Sequence, residues 1–326
     1  MGPHPAVAAV RLAVRRALQQ HPITTPVIVA CSGGPDSVAL AAATAFECQR
    51  TGRAAGLVCV DHGLQPGSDR IASGVGDLGY ELGFDPVQVL RVDVGQAGGP
   101  EAAARTARYA ALERARQAED ALVALGHTAD DQAETVLLGL GRGSGPRSIA
   151  GMRPQAAGYL RPLLTLRRTQ TEAACQALGL PVWNDPHNVD PLFRRVRLRR
   201  EVLPLLEDVL SGGVTEALAR TAWQLQADLD TLDELAGRLI KCATVPDGLD
   251  VTVLLGQPDG LVSRVVKRWA EAAGTEPLTA AHITELQRLV GDWHGQGPID
   301  LPGGYGAIRA SGTLRMIPPP GRDRAP

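Results

Sequence analysis

Lysine is almost missing from this 326-residue chain: only Lys241 and Lys267 occur, so nearly all of its permanent positive charge is arginine. No Gly-x-x-x-x-Gly-Lys loop exists, which excludes an ordinary P-loop NTPase. Cysteine is also sparse. The five residues at 31, 48, 59, 175 and 242 are odd in number and include no Cys-x-x-Cys. That argues against a disulfide framework or a structural zinc site and for a reducing cytoplasm. Aromatic residues make up only 3% of the chain, leaving few rings for stacking on bases. A net charge of −2 gives no overall pull towards nucleic acid, so RNA binding would need local patches. No stretch is long and apolar enough to span a membrane. What is present, 44% hydrophobic and 21% charged residues, describes a soluble globular chain long enough for two domains.

The richest segment is Val27-Ile-Val-Ala-Cys-Ser-Gly-Gly-Pro-Asp-Ser37. It reads as a buried strand, a tight glycine turn and a helix N-terminus. Gly33 and Gly34 let backbone N–H groups approach an oxyanion with no Cβ in the way. Pro35 suits a first helical turn, and the helix dipole favours a phosphate there. Ser-Gly-Gly-x-Asp-Ser at such a junction resembles the pyrophosphate-binding loop of N-type ATP pyrophosphatases, which cut ATP between its α and β phosphates. Asp36 beside a phosphate makes sense if Mg²⁺ sits between them, although a carboxylate in a first helical turn also complements the dipole.

Apolar β-like runs at Val27–Cys31, Gly56–Val60, Val87–Val92 and Ala121–Leu125 alternate with helical patterns near 36–51, 68–83, 100–119 and 130–140. The alternation predicts an α/β fold, a doubly wound parallel sheet whose ligands bind at the carboxyl ends of the strands. Val7, Val10, Val14 and Leu18 share one face of a first amphipathic helix, preferred here over a transit peptide. Pro154–Pro162 reads as a loop, 168–179 as helix, and Trp183–Pro191 as turns. A boundary near Glu207–Gly213 separates residues 1–207 from a smaller, mainly helical domain, 208–326, with short strands at Ala307–Ala310 and Thr313–Ile317.

Polar residues gather at the predicted strand ends. Asp61-His62-Gly63 follows the second strand and suits an adenosine pocket; Gly126-His127 follows the fourth. His127 is a phosphate donor or leaving-group contact, or simply a satisfied surface histidine. Asp131 and Glu134 share a helical face, as capping acids, ligands of a second Mg²⁺ or holders of an ammonium group. Glu101 and Arg105 are four apart, either a surface pair or, for Arg105, a phosphate contact. Arg194, Arg195, Arg197, Arg199 and Arg200 form the densest basic patch, with only Glu201 nearby in sequence to balance it. Such a cluster suits RNA phosphates, and its bland alternative is a solvated helix face.

Taken in order, these blocks resemble the tRNA(Ile)-lysidine synthetase family. The resemblance rests on Ser32–Ser37, Asp61-His-Gly-Leu64, Glu101-x-x-x-Arg105-x-x-x-Tyr109 and Gly126-His-Thr-Ala-Asp-Asp-Gln-Ala-Glu-Thr135. It continues through Arg142-Gly-Ser-Gly145, Gly151-Met152, Arg161-Pro-Leu-Leu164 and Asn184-Asp185-x-x-Asn188-x-Asp190, with Leu301-Pro-Gly-Gly304 as an echo of the family's second domain. It implies that free L-lysine is joined to C2 of the wobble cytidine of the isoleucine tRNA with a CAU anticodon. ATP adenylates the C2 oxygen, pyrophosphate leaves, and lysine's amine displaces AMP, changing codon and amino-acid identity from Met to Ile. The roles implied are ATP binding by Ser32, Gly33, Gly34, Pro35, Asp36, Ser37, Asp61, His62 and Gly126, and metal at Asp36. Catalysis falls to Asp36, Arg105, His127, Asp131 and Glu134, with lysine held by Asp131 and Glu134 and tRNA by Arg195, Arg197 and Arg199. Val196 stands where the family pattern has asparagine. The chain is also expected to lack the further C-terminal domain of longer relatives, and a homodimer is among the arrangements open to it. The rival enzyme is a tRNA thiolase on the same ATP loop, which generally needs paired cysteines or a cluster. An amide ligase of the NAD or GMP synthetase kind leaves the arginine cluster without a purpose. A non-catalytic nucleotide-binding module leaves Asp36, His127, Asp131 and Glu134 without one.

Overall fold

The computed structural model describes residues 2–63, 65, 67–95, 99–143, 145–183, 185 and 190–320, and leaves the side chains of 100 and 101 undescribed. Leu64, Ser144, Asn184 and Asn188, together with the side chain of Glu101, therefore lie outside it. The chain forms two compact units, Met1–Leu225 and Gln226–Pro326.

The first unit opens with α1 (Pro5–Leu18), β1 (Val27–Ala30), α2 (Pro35–Thr51), β2 (Ala55–Asp61), α3 (Ser68–Glu81), β3 (Val87–Arg91), α4 (Pro100–Ala118), β4 (Leu122–Leu125) and α5 (Ala129–Arg142). It continues through α6 (Pro146–Ile149), β5 (Gln155–Ala156), β6 (Tyr159–Leu160), α7 (Arg168–Leu178), α8 (Arg194–Arg197), a π-helical turn (Leu198–Val202) and α9 (Leu203–Val209). A long helix, α10 (Val214–Ala243), follows.

The sheet has the order β3-β2-β1-β4-β6-β5, with β3, β2, β1, β4 and β6 parallel and β5 antiparallel to β6. Alternation along β1 distributes its side chains to two layers. Val27, Val29 and Cys31 pack with α1, α2 and α7, while Ile28 and Ala30 pack with Leu112 and Ala115 of α4. The expected face of α1 is its buried face: Val7, Val10, Val14 and Leu18. Buried Arg53 donates to the carbonyls of Leu18, His21, Pro22 and Thr25, replacing the strand pairing that the α1–β1 connection lacks.

The segment expected to be a loop, Pro154–Pro162, instead holds the β5–β6 hairpin. Val123 and Tyr159 are register partners, so two residues suffice to extend the sheet. The order of strand addition, not the strand direction, reverses between the parallel neighbours β1 and β4: β2 and β3 build outward on one side and β6 and β5 on the other. The helix N-termini that follow β1 and β4 flank that switch point.

The second unit takes the end of α10, β7 (Thr244–Val245), β8 (Gly248–Asp250), α11 (Val251–Leu254), α12 (Asp259–Ala272), α13 (Ala280–Gly291), β9 (Ile299–Leu301), β10 (Tyr305–Ala310) and β11 (Thr313–Ile317). Its antiparallel sheet runs β7-β8-β11-β10-β9. Its own core includes Leu249, Val265, Val266, Leu286, Leu289 and Leu314. Both lysines, on α10 and α12, belong to this unit.

Candidate functional site

The loop after β1 has the form that oxyanion binding needs. Gly33 takes φ +85°, and Gly34 caps α2 with no side chain to occupy its first N–H groups. The Ser37 hydroxyl ties the turn together, accepting from the Ser32 backbone N–H at 3.1 Å and donating to the Gly34 carbonyl at 2.9 Å. Gly126 lets the end of β4 approach this helix start: a Cβ there would lie 3.1 Å from the Asp36 carbonyl and the Ser37 Cα.

A cleft opens beside the loop, with apolar walls and a few polar groups. Val58, Ile71, Leu112 and Trp183 give it apolar walls, and Ser32, Asp61, His62 and Arg108 its polar groups. Trp183 is tied to the glycine turn through its backbone N–H, which donates to the Gly33 carbonyl at 2.9 Å. The Asp61 carboxylate accepts from the Gly63 N–H at 2.9 Å, folding the strand end back on itself.

Two arginines of α4 are placed differently. Arg105 is exposed, lies 4.9 Å from the Tyr109 ring centroid and donates to its hydroxyl at 3.5 Å. Arg108 lines the cleft instead, with no hydrogen-bond or ion-pair partner among the described residues. Burial pulls its guanidinium below the ordinary value. The Nδ1 atoms of His62 and His127 are likewise buried without a hydrogen-bond partner. Burial holds the His127 imidazole down to about 3, so it is neutral near neutral pH.

On the β4 side, acids and arginines alternate. Asp36 on α2 receives Arg168 Nε on Oδ2 at 2.9 Å and the Thr171 hydroxyl on Oδ1. The same guanidinium reaches Asp131 Oδ1 through Nη2 at 2.9 Å. Asp131 Oδ2 closes the capping box of α5, accepting from the Thr128 N–H at 2.8 Å and hydroxyl at 3.0 Å. Arg199 Nε donates to Glu134 Oε1 at 2.7 Å, and its Nη2 lies 3.6 Å from Asp131. Glu134 is fully buried; its Oε2 makes no hydrogen bond, and Arg195 Nη1 stands 3.8 Å away. Burial raises the Glu134 carboxyl above the ordinary carboxylate range, although Arg199 opposes the shift. Arg167 binds Asp130 at 3.2 Å and Glu216 at 2.8 Å, anchoring the start of α7.

The basic patch is therefore split. Arg195 and Arg199, four residues apart, turn inward to the acids of α5, while Arg197 is exposed and paired with Glu201 at 2.8 Å. Val196 is buried between them in sequence and contributes packing. Sequence reading missed Arg168, Thr171 and Trp183. Only Arg168 carried a signal, as the arginine opening a predicted helix.

Among the described residues no three His, Cys, Asp or Glu side chains converge to hold a metal ion. No helix among them is long and apolar enough to cross a membrane.

Comparison with known proteins identifies the family. Residues 10–206 match the PP-loop domain and 249–315 the TilS substrate binding domain. The chain is 52% identical to the tRNA(Ile)-lysidine synthase of Thermobifida fusca, over 96% of this chain and 98% of that one. It is 52% identical to that of Salinispora arenicola, over 97% of each chain. Among solved structures, the U34-tRNA thiolase of Methanococcus maripaludis with its [4Fe-4S] cluster shares the fold, with TM-score 0.56 and 17% identity over 68% of this chain and 79% of that one. With a PP-loop domain covering more than half of its length and half-identical relatives along nearly all of it, the chain belongs to the tRNA(Ile)-lysidine synthase family.

Proposed function

We propose that this protein ligates free lysine to C2 of the wobble cytidine of the isoleucine tRNA with a CAU anticodon, through an adenylated cytidine. The observation that carries the reading is an apolar-walled cleft and a glycine-capped helix on one side of the sheet's switch point, with a buried carboxylate whose Oε2 makes no hydrogen bond on the other. The uncapped N–H groups of α2 and the Gly33-Gly34 turn suit ATP phosphates, and the apolar cleft suits the adenosine. Arg108, which lines that cleft with no hydrogen-bond or ion-pair partner among the described residues, takes the phosphate role expected of Arg105. His127 stays neutral and donates or accepts a hydrogen bond at the leaving group.

Asp36, in the first turn of α2 beside the glycine loop, would hold the metal, since Mg²⁺ characteristically takes one or two carboxylates with phosphate oxygens supplying the rest. When bound, the ion would offset phosphate charge. Glu134 holds an amine of lysine through Oε2, while Asp131, saturated by Thr128 and Arg168, fixes the geometry around it. Residues 1–207 form the catalytic domain on this reading and 208–326 the helical substrate-binding domain, with Arg195, Arg197 and Arg199 beside the substrate RNA. The cytoplasm, where tRNA, ATP and free lysine occur together, is the compartment this activity requires.

The test is mass analysis of tRNA after incubation with ATP, Mg²⁺ and lysine. A gain of one lysine less one water at the wobble cytidine is expected, and its absence overturns the reading. In parallel, Asp36→Asn should abolish AMP formation while tRNA affinity changes little; normal AMP yield would remove Asp36 from the metal role.

A further inference from the structure

Arg168 enters the activity described above only as a partner of Asp131, yet it holds two carboxylates, Asp36 and Asp131. Its Nε donates to Asp36 at the start of α2, and its Nη2 donates to Asp131 at the start of α5. One guanidinium thus spans both helix N-termini that follow β1 and β4. Thr171, one turn along α7, takes the other oxygen of Asp36, so α7 engages both oxygens of the carboxylate expected to face the metal. Arg168 is itself held in place, because its backbone N–H donates to Asp130 at 2.8 Å and neighbouring Arg167 pairs with Asp130 and Glu216.

A planar guanidinium between two carboxylates neutralises them as a bound cation would. We propose that Arg168 is a positioning residue acting as a built-in counter-cation: it holds the carboxylate of Asp36, and yields that carboxylate to the metal–nucleotide while keeping its hold on Asp131. This rests on the reading of Asp36 as the metal-facing group. The arrangement makes divalent cation binding conditional on nucleotide, since a free ion must displace a fixed positive charge and gains no phosphate oxygens in return. It also ties the two halves of the site together. Release of Nε from Asp36 leaves Arg168 held by Asp131, one turn of α5 from Glu134. Lysine in this position would keep the charge but carries its donors on a single nitrogen, without the spaced Nε and Nη2 that bridge both helices.

The experiment uses Mn²⁺ alone as probe, with the free ion followed by its electron paramagnetic resonance signal. Wild type and Arg168→Lys should leave Mn²⁺ largely free. Arg168→Gln should bind one ion about ten-fold or more tightly than wild type, and Asp36→Asn in the Arg168→Gln background should remove that ion. Equal Mn²⁺ binding by wild type and Arg168→Gln overturns the proposal, as does a site that survives Asp36→Asn. Should Arg168→Gln not fold, a crystal structure of the wild-type enzyme with Mg²⁺ and the α,β-methylene analogue of ATP decides. Asp36 on the metal with Arg168 kept on Asp131 supports the proposal, and an intact Arg168–Asp36 pair overturns it. Failure of lysidine formation by wild type would instead strike the functional reading, and the Mn²⁺ result is independent of it.

Discussion

Glu134 is the residue whose environment makes the sharpest demand. One carboxylate oxygen is taken by Arg199 and the other is buried without a hydrogen bond. A buried acceptor left open costs stability unless a ligand fills it, so Glu134→Gln should act on lysine rather than on ATP. A charge-assisted hydrogen bond is worth about 1.5–3 kcal/mol, so the lysine KM should rise roughly ten- to a hundred-fold with ATP affinity little changed. A lysine titration at saturating ATP, repeated across a Mg²⁺ series, checks this; rescue by extra Mg²⁺ would mean that the acids serve a second metal. The pH dependence has a definite sign. Burial raises the Glu134 carboxyl, so as pH falls it protonates before an ordinary glutamate would. Lysine affinity should hold above that raised value and fall away below it, a limb that Glu134→Gln lacks and that His127, neutral throughout, does not supply. Asp36, Asp131 and Glu134 were legible in sequence because each sits a fixed few residues past a strand end. Arg168 and Thr171 were not, since they meet Asp36 from 132 and 135 residues away and nothing in local spacing marks that encounter.

At the scale of elements, the approach of β4 to the start of α2 decides the shape of the phosphate cradle. Gly126→Ala places a methyl 3.1 Å from the backbone of Asp36 and Ser37, and backbone cannot rotate away as a side chain can. Overpacking of this kind costs about 1–3 kcal/mol, to be seen as a lowered midpoint in denaturant together with a raised ATP KM. The arginine-bearing segment that runs from α8 into the π-helical turn makes a second test. Neutralising Arg195, Arg197 and Arg199 together should weaken tRNA binding and lower the log–log salt slope by about 0.7–0.9 for each RNA phosphate that no longer meets an arginine. Arg199→Ala alone should behave differently, impairing lysine use and stability because it strands Glu134 without its partner. An unchanged slope in the triple variant would make the segment a scaffold for α5 and nothing more. The long helices and the four principal strands were readable because their apolar periodicity runs for a full turn or more. β5, β6, β7 and β9, of two or three residues, are too short to alternate, and partners distant in sequence define them. The inward face of Arg195 and Arg199 was hidden for the same reason: their acids lie on α5.

For the molecule as a whole, separate cores in the two units lead to a calorimetric expectation. ATP with Mg²⁺ at a hundred-fold excess over its Kd should stabilise the unit that binds it by about 2.7 kcal/mol, raising one unfolding transition and leaving the other in place. Equal movement of both would show that the nucleotide's effect is not confined to the first unit. The doubly wound architecture was evident from alternation alone, whereas α13 and most of the second sheet were not, because that unit builds its core from short pieces. The distribution of lysine has a consequence of its own. The proposed reaction makes an electrophilic carbon and then waits for a primary amine. The unit that carries the site contains no lysine, since Lys241 and Lys267 both belong to the other. No lysine side chain of the first unit is therefore there to capture the activated base. Self-modification, the standing hazard of any enzyme that prepares a carbon for amine attack, has no lysine to begin from in that unit.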